Sequence, residues 1–281
     1  MTLILGANGQ LGLALREQFP GAKFVSRSEF DVADQDAYEV FPFADFDVVI
    51  NASAYTAVDL AETAEGRQDA WATNVTALGL LARACAANDV TLVQVSSDYV
   101  FDGTATRPYL ETDALCPLGV YGQTKAAGDV VIATVPKHYI VRTSWVIGEG
   151  NNFVRTMASL ADRGIAPSVV NDQIGRLTFT DDLARGIKHL LTSRPAFGTY
   201  NLTNGGEPAS WAEIAAQVFA LTGHDPASVT GVSTTDYYAG KEGIAPRPAW
   251  SVLDNTRIEA TGFSAAPWRE KLADYVGALT S

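Results

Sequence analysis

Short apolar runs alternate with longer helical patterns through the first half of the chain. Runs at residues 3–5, 23–26, 48–51, 91–95 and 139–142 predict strands. Between them, residues 11–19, 36–43, 68–87 and 125–134 predict helices. The clearest is 68–87, where Trp71, Val75, Leu78, Leu81 and Ala82 recur at helical spacing. Strand–helix alternation of this kind implies parallel βαβ units, and right-handed crossovers then give a doubly wound parallel α/β sheet. After residue 145 the alternation loosens. Helices are predicted at 153–163, 181–192, 211–221 and 268–279, with short strands at 168–170 and 199–202. Residues 203–260 are richer in Gly, Pro, Ser and Thr. No low-complexity linker separates two beads, so the C-terminal part is expected to form a small lobe leaning over the sheet.

Composition fits that picture. The chain has 281 residues, 47% hydrophobic and 19% charged, as globular chains are. That length holds one large or two modest domains. Twenty basic against 32 acidic residues give a net charge of −12, which argues against a nucleic-acid partner, since phosphate neutralisation needs a basic face. Two cysteines, Cys85 and Cys116, are too few for a disulfide scaffold. His138, His189 and His224 make no H-x-x-x-H pair, so no metal site is expected. No apolar run reaches the roughly 18 residues of a membrane helix. The opening run 2–5 has no basic segment before it and no cleavage site, so the expectation is a cytoplasmic protein with no membrane partner.

Gly6-Ala7-Asn8-Gly9-Gln10-Leu11-Gly12 follows the first strand and opens the first helix. Glycines allow a tight turn and a close backbone approach to a pyrophosphate, and the helix N-terminus adds the positive end of its dipole. The spacing is G-x-x-G-x-x-G rather than G-x-G-x-x-G, so the strand–turn–helix context carries the reading of a dinucleotide site. The second strand ends near Ser26-Arg27-Ser28, where an NAD-specific domain would carry an acidic residue. A guanidinium and two hydroxyls suit a 2′-phosphate, which favours NADPH with NADH as the alternative; the other reading of Arg27 is a solvated surface residue. Asp31, followed by Val32, is placed either to reach the adenine amino group or to cap a helix near Asp34.

Tyr121-Gly122-Gln123-Thr124-Lys125 puts a phenol and an ammonium four residues apart, on one helix face and roughly 6 Å from each other. A free tyrosine titrates near pH about 10; a neighbouring cation lowers that value and makes the phenol a usable general acid. The strand at 91–95 leads into Ser96-Ser97-Asp98-Tyr99-Val100-Phe101. Strand C-termini of a doubly wound sheet are where ligands bind, so the Ser97 hydroxyl is placed to meet a substrate carbonyl. A serine, a tyrosine, a lysine and a glycine turn together suit carbonyl reduction.

These motifs resemble the extended short-chain dehydrogenase/reductases, which have a Rossmann domain. Within them the chain is similar to the dTDP-4-dehydrorhamnose reductase family. The matching stretches run in order through almost the whole chain: 51–59, 97–101, 121–125, 142–146, 150–153 and 171–175, then Arg247-Pro248 with Ser251 and Leu253. The resemblance implies an NADP(H)-binding domain over 1–145 that carries the catalytic residues. Residues 146–281 would mostly form a nucleotide-sugar lobe, with some segments returning to the first domain. It implies that Tyr121 protonates the C4 ketone of dTDP-4-dehydro-β-L-rhamnose, that Lys125 tunes Tyr121 and holds the nicotinamide ribose, and that Ser97 orients the carbonyl. Gly6, Asn8, Gly9, Gln10, Leu11, Gly12, Ser26, Arg27, Asp31, Val32, Asn51, Ala52, Ser53 and Tyr55 would line the cofactor. Thr56, Asp98, Tyr99, Trp145, Asn152, Arg176 and Arg247 would meet the nucleotide sugar. Trp145 reads equally as a core aromatic, and Arg247 as a surface residue.

Three departures stand out. Ser97 replaces the family's usual threonine and keeps the hydroxyl. Ala14 occupies the position of a first-helix glutamate that bridges some relatives through magnesium, with only Glu17 nearby, so a monomer is expected. Arg176-Leu177-Thr178 replaces a small residue followed by Pro-Thr and is expected to alter the sugar pocket or add a diphosphate contact. The rival functions are another nucleotide-4-ketosugar reductase, an NAD-retaining epimerase, and a non-catalytic NADP-binding regulatory subunit.

Overall fold

The computed structural model describes residues 1–280. Its first half runs β1 (Thr2–Leu5), α1 (Gln10–Gln18), β2 (Lys23–Val25), α2 (Ala37–Val40), β3 (Val48–Asn51), α3 (Ala64–Trp71), α4 (Ala77–Ala87), β4 (Thr91–Ser97), α5 (Val120–Ile132) and β5 (His138–Thr143). The second half adds β6 (Val146–Ile147), α6 (Phe153–Asp162), β7 (Ser168–Val170), β8 (Ile174–Gly175), β9 (Thr178–Phe179) and α7 (Thr180–Ser193). It closes with β10 (Gly198–Asn201), β11 (Ala209–Ser210), α8 (Trp211–Leu221), β12 (Thr230–Val232), α9 (Thr234–Tyr237), α10 (Thr256–Glu259) and α11 (Trp268–Thr280).

Six strands make one sheet in the order β2-β1-β3-β4-β5-β10. Every neighbouring pair is parallel. The chain leaves β1 to one side for β2 and returns on the other for β3, so a switch point opens at the C-terminal ends of β1 and β3. A parallel sheet is covered on both faces, which is why its strands read as unbroken apolar runs. Leu3, Leu5, Val49, Leu92 and Ile140 face a core completed by α4. Ile4, Ile50, Val93 and Val141 alternate with them and face a core completed by α1 and α7.

The remaining C-terminal elements enclose a core of their own, with Val154 and Met157 from α6, Ile214 and Val218 from α8, and Trp268 and Leu272 from α11. Short pairings hold it: β11 with β8, β12 with β7, and β6 with β9. Between these pieces α7 and β10 return to the large sheet.

Four predicted elements change extent. The helix expected over 68–87 begins earlier and is split by one π turn at Ala72–Thr76. The helix expected over 36–43 shrinks to Ala37–Val40, because Pro42 drives Phe41 into extended backbone (φ −77°, ψ 129°). Aromatic contacts among Phe30, Tyr38, Phe41 and Phe43 organise that segment instead. The helix expected over 125–134 starts at Val120, so Tyr121 lies in its first turn. The strand expected over 91–95 runs on to Ser97, whose position pairs with Thr143 across the ladder.

Candidate active site

The loops at the C-terminal ends of β1, β3, β4 and β5 surround a cleft of about 1140 Å³. Its first wall is the glycine turn. Gly6 has φ +82°, and a Cβ there would lie 2.8 Å from the backbone of Ala52 and Ser53. At Gly12 a Cβ would lie 2.2 Å from the Gly6 carbonyl oxygen. Only glycine lets the turn sit this close to the β3 loop and to its own helix. Gly9 caps α1 in extended backbone with no side-chain hydrogen bond, so the first-turn N–H groups keep no side-chain partner.

Gly6, Asn8, Gly9, Gln10, Leu11, Ala52, Ser53 and Thr56 line this end, and Ser97, Asp98, Tyr99, Tyr121, Lys125 and Trp145 the other. Gln10 Oε1, Ser96 Oγ and Thr143 Oγ1 are buried along the cleft without a partner among the described residues. Unpartnered buried polar atoms are costly unless a ligand uses them. The cradle of glycines, the bare helix end and these atoms fit a dinucleotide. A smaller pocket of about 270 Å³ adjoins, lined by Asp31, Val32, Tyr55 and Thr73, with Arg27 shared between the two. Arg27 is exposed and its Nε donates to Asp31 at 2.9 Å. The Asp31 carboxylate also accepts from Ala33 N, so it closes a local turn and caps no helix.

On α5, Tyr121 and Lys125 are both buried. The Lys125 ammonium donates to the Val95 carbonyl at 2.8 Å, and burial pushes its pKa down to about 8. Burial first, and then the nearby Asp98 carboxylate, raise the Tyr121 phenol above its ordinary value, with Ser97 pulling the other way. The lowering by Lys125 expected from spacing is not among the influences on the phenol, and the ammonium is bonded to Val95 O instead. Ser97 Oγ donates to Asp98 Oδ1 at 2.9 Å. Burial pushes Asp98 up to about 6, with Ser251 and Ser97 pulling the other way.

Several expected ligand residues are used elsewhere. Asn51 is buried below the cleft: its Oδ1 accepts from Ser53 N and Oγ, and its Nδ2 donates to Gln94 Oε1 at 2.8 Å. Gln94 in turn donates to Val95 O, the acceptor of Lys125. Asn51 thus supports both ends of the site without lining it. Gly12 lies outside the lining, packed against the backbone of Gly6 and Ala7. The Ser26 hydroxyl bonds Glu29 and Ser28. Asn152 caps α6 at Arg155 N and donates to Gly148 O and to the Tyr275 hydroxyl, so its amide is consumed, whereas its neighbours Gly150 and Asn151 line the cleft. Arg176 lies outside the lining and donates to Leu253 O. Arg247 lies outside the lining, paired with Asp59 at 2.8 Å.

The sequence reading missed Asn74, Gln94, Glu62 and Trp211. Asn74 sits in the π turn, exchanges hydrogen bonds with both Tyr55 N and Tyr55 O, and donates to Thr124 on α5. An asparagine flanked by Thr73, Val75 and Thr76 within an alanine-rich helix was the readable signal. Glu62 accepts from Val120 N at the start of α5. Trp211 follows Ser210, which with Glu213 forms a capping box visible as S-x-x-E.

A doubly wound parallel sheet with a glycine turn, and with serine, tyrosine and lysine at one cleft, defines an extended short-chain dehydrogenase/reductase. The family model of the RmlD substrate binding domain matches residues 1–281, and the chain belongs to that family. It is 38% identical to a dTDP-4-dehydrorhamnose reductase of Mycolicibacterium smegmatis, covering 99% of this chain and 85% of that protein. It is 37% identical to the spore coat polysaccharide biosynthesis protein SpsK of Bacillus subtilis, covering 98% and 96%. The crystal structure of a dTDP-4-dehydrorhamnose reductase from Clostridium acetobutylicum superposes with a TM-score of 0.91 at 37% identity, covering 100% and 99% of the two chains. That of the Bacillus anthracis enzyme in complex with NADP gives 0.89 at 32% identity, covering 99% and 98%.

Proposed function

We propose that the chain reduces the C4 ketone of dTDP-4-dehydro-β-L-rhamnose to dTDP-β-L-rhamnose with NADPH. One observation carries the reading: Ser97, Tyr121 and Lys125 converge on a cleft whose other wall is the glycine turn, in a chain that matches the RmlD family end to end. NADPH, when bound, supplies the hydride. The turn from Gly6 to Gly12 and the N-terminus of α1 hold its pyrophosphate, and Arg27, shared by both pockets, suits its 2′-phosphate. Tyr121 gives the phenolic proton to the ketone oxygen, Ser97 holds that oxygen, and Lys125 keeps a positive charge beside the reacting end.

Residues 1–145 carry the cofactor and the catalytic groups. Residues 146–281 mostly form the nucleotide-sugar lobe, with α7 and β10 given back to the sheet. Ala14 packs against the core, so α1 offers no carboxylate at that position and the chain acts as a monomer without magnesium. Among the described residues no helix is long and apolar enough to cross a membrane.

The test is NADPH oxidation, followed by nicotinamide absorbance, with dTDP-4-dehydrorhamnose made in situ and NADH run in parallel. The expected result is turnover that Tyr121→Phe reduces by about 10²–10⁴-fold while cofactor binding persists. NADPH binding without oxidation would overturn the substrate assignment. Cofactor that survives purification would point to the epimerase.

A further inference from the structure

Trp145 lines the reacting end of the cleft, two residues beyond Thr143, whose position pairs with Ser97. Its backbone lies in the left-handed region, with φ +47°. A bulky side chain occupies that region only when its surroundings hold it there. Those surroundings come from the C-terminal lobe. The Trp211 indole stacks on Trp145 with ring centroids 3.8 Å apart and an interplanar angle of 17°. Phe153 braces Trp211 from α6 at 4.5 Å. Gly175 lies so close that a Cβ there would be 2.7 Å from two Trp145 ring atoms. Gly175 and Trp211 belong to one unit, because β8 pairs with β11 directly before α8, and a capping box at Ser210 and Glu213 locks the start of that helix.

We propose that Trp211, which does not line the cleft, is a positioning residue for the sugar end of the site and acts through Trp145. The inference rests on the reading that the cleft takes a nucleotide sugar. The stack sets the height and tilt of the Trp145 ring, which lines the same cleft as Ser97 and Tyr121. The lobe thereby shapes the sugar site without touching the sugar at Trp211. The cofactor end stands on the β1 and β3 loops and is independent of the stack.

The experiment compares wild type, Trp211→Ala, Trp211→Phe and Gly175→Ala. Its readouts are far-ultraviolet circular dichroism (stacked indoles give an exciton-coupled band), NADPH affinity, steady-state kinetics, and quenching of indole fluorescence by dTDP-rhamnose, which needs no turnover. Trp211→Ala is expected to lose the coupled band and to raise KM for the sugar and Kd for dTDP-rhamnose by about three- to tenfold, with NADPH affinity unchanged. Trp211→Phe keeps an aromatic face and should restore most of the loss. Gly175→Ala, which disturbs the same ring from β8, should reproduce the Trp211→Ala pattern. Loss of the coupled band with sugar affinity unchanged overturns the inference, as does an equal loss of NADPH and sugar affinity. Wild type that binds dTDP-rhamnose but reduces no ketosugar overturns the function and leaves the inference to be judged on the binding series. Wild type that binds no nucleotide sugar overturns both.

Discussion

The Ser97 hydroxyl gives its single proton to the Asp98 carboxylate 2.9 Å away, while its oxygen accepts Tyr99 N–H at 3.2 Å. To donate to a ketone, Ser97 must withdraw that proton from Asp98. The reacting end of the cleft is therefore coupled to a buried carboxyl group held at about 6, above its ordinary 3.8. Such a group favours the fold when protonated. Its contribution is complete below the unfolded value and is lost as pH rises through about 6. Asp98→Asn is expected to be more stable than wild type by about 1–3 kcal/mol near pH 8, and the gap should close toward about pH 4. Denaturant unfolding of both proteins at the two pH values checks this; a gap that does not vary with pH would refute it.

Lys125 is displaced in the opposite sense, down to about 8 by burial. Its ammonium loses its charge as pH rises through that value, and an uncharged amine is a weaker donor to ribose hydroxyls. NADPH affinity should fall by about fivefold between roughly pH 7 and 9.5, above the titration of the 2′-phosphate. Lys125→Met should bind more weakly and show no such slope. Calorimetric titration across that range is the measurement, and a flat wild-type profile would contradict the assignment.

Arg27 lines both pockets and, among the described residues, is held by Asp31. If it meets the 2′-phosphate, Arg27→Ala should raise KM for NADPH by about tenfold and leave that for NADH unchanged. Removing its competitor in Asp31→Ala should shift preference further toward NADPH. Kinetics with both cofactors decide this, and equal losses for the two would return Arg27 to the solvated surface.

Asn74 joins the β3 loop to the catalytic helix through the two backbone groups of Tyr55 and the hydroxyl of Thr124. Asn74→Ala strands these buried groups and should destabilise the fold by about 2–4 kcal/mol. Thr124 lies between Tyr121 and Lys125, so kcat should fall as well. Equilibrium unfolding alongside single-turnover rates would show both; a stable variant with normal turnover would remove Asn74 from the positioning network.

Much of this protein is local in origin and was legible residue by residue. The sheet strands are apolar on both faces, so their runs announce them, and the glycine turn is visible because its spacing and its place after β1 are short-range features. Tyr121 and Lys125 share a face by helical period alone, and Ser97 lies at a strand end whatever the neighbouring strands do. Where a side chain points once the strand or helix ends is not a property of period. Asn51 bonds Gln94, the Asn152 amide bonds Tyr275, and Arg176 bonds Leu253, each a partner supplied by a distant segment. The same holds for Trp145. Its residue type marked it as either sugar wall or core, and only the approach of β8 and α8 from the C-terminal lobe, against a backbone bent into the left-handed region, decides where its ring stands. Sequence by itself determined which chemistry the chain carries, since that depends on residue types at fixed local spacings. Tertiary structure decided which residues present that chemistry and which hold it in place, since long-range packing and buried hydrogen-bond demand assign those roles.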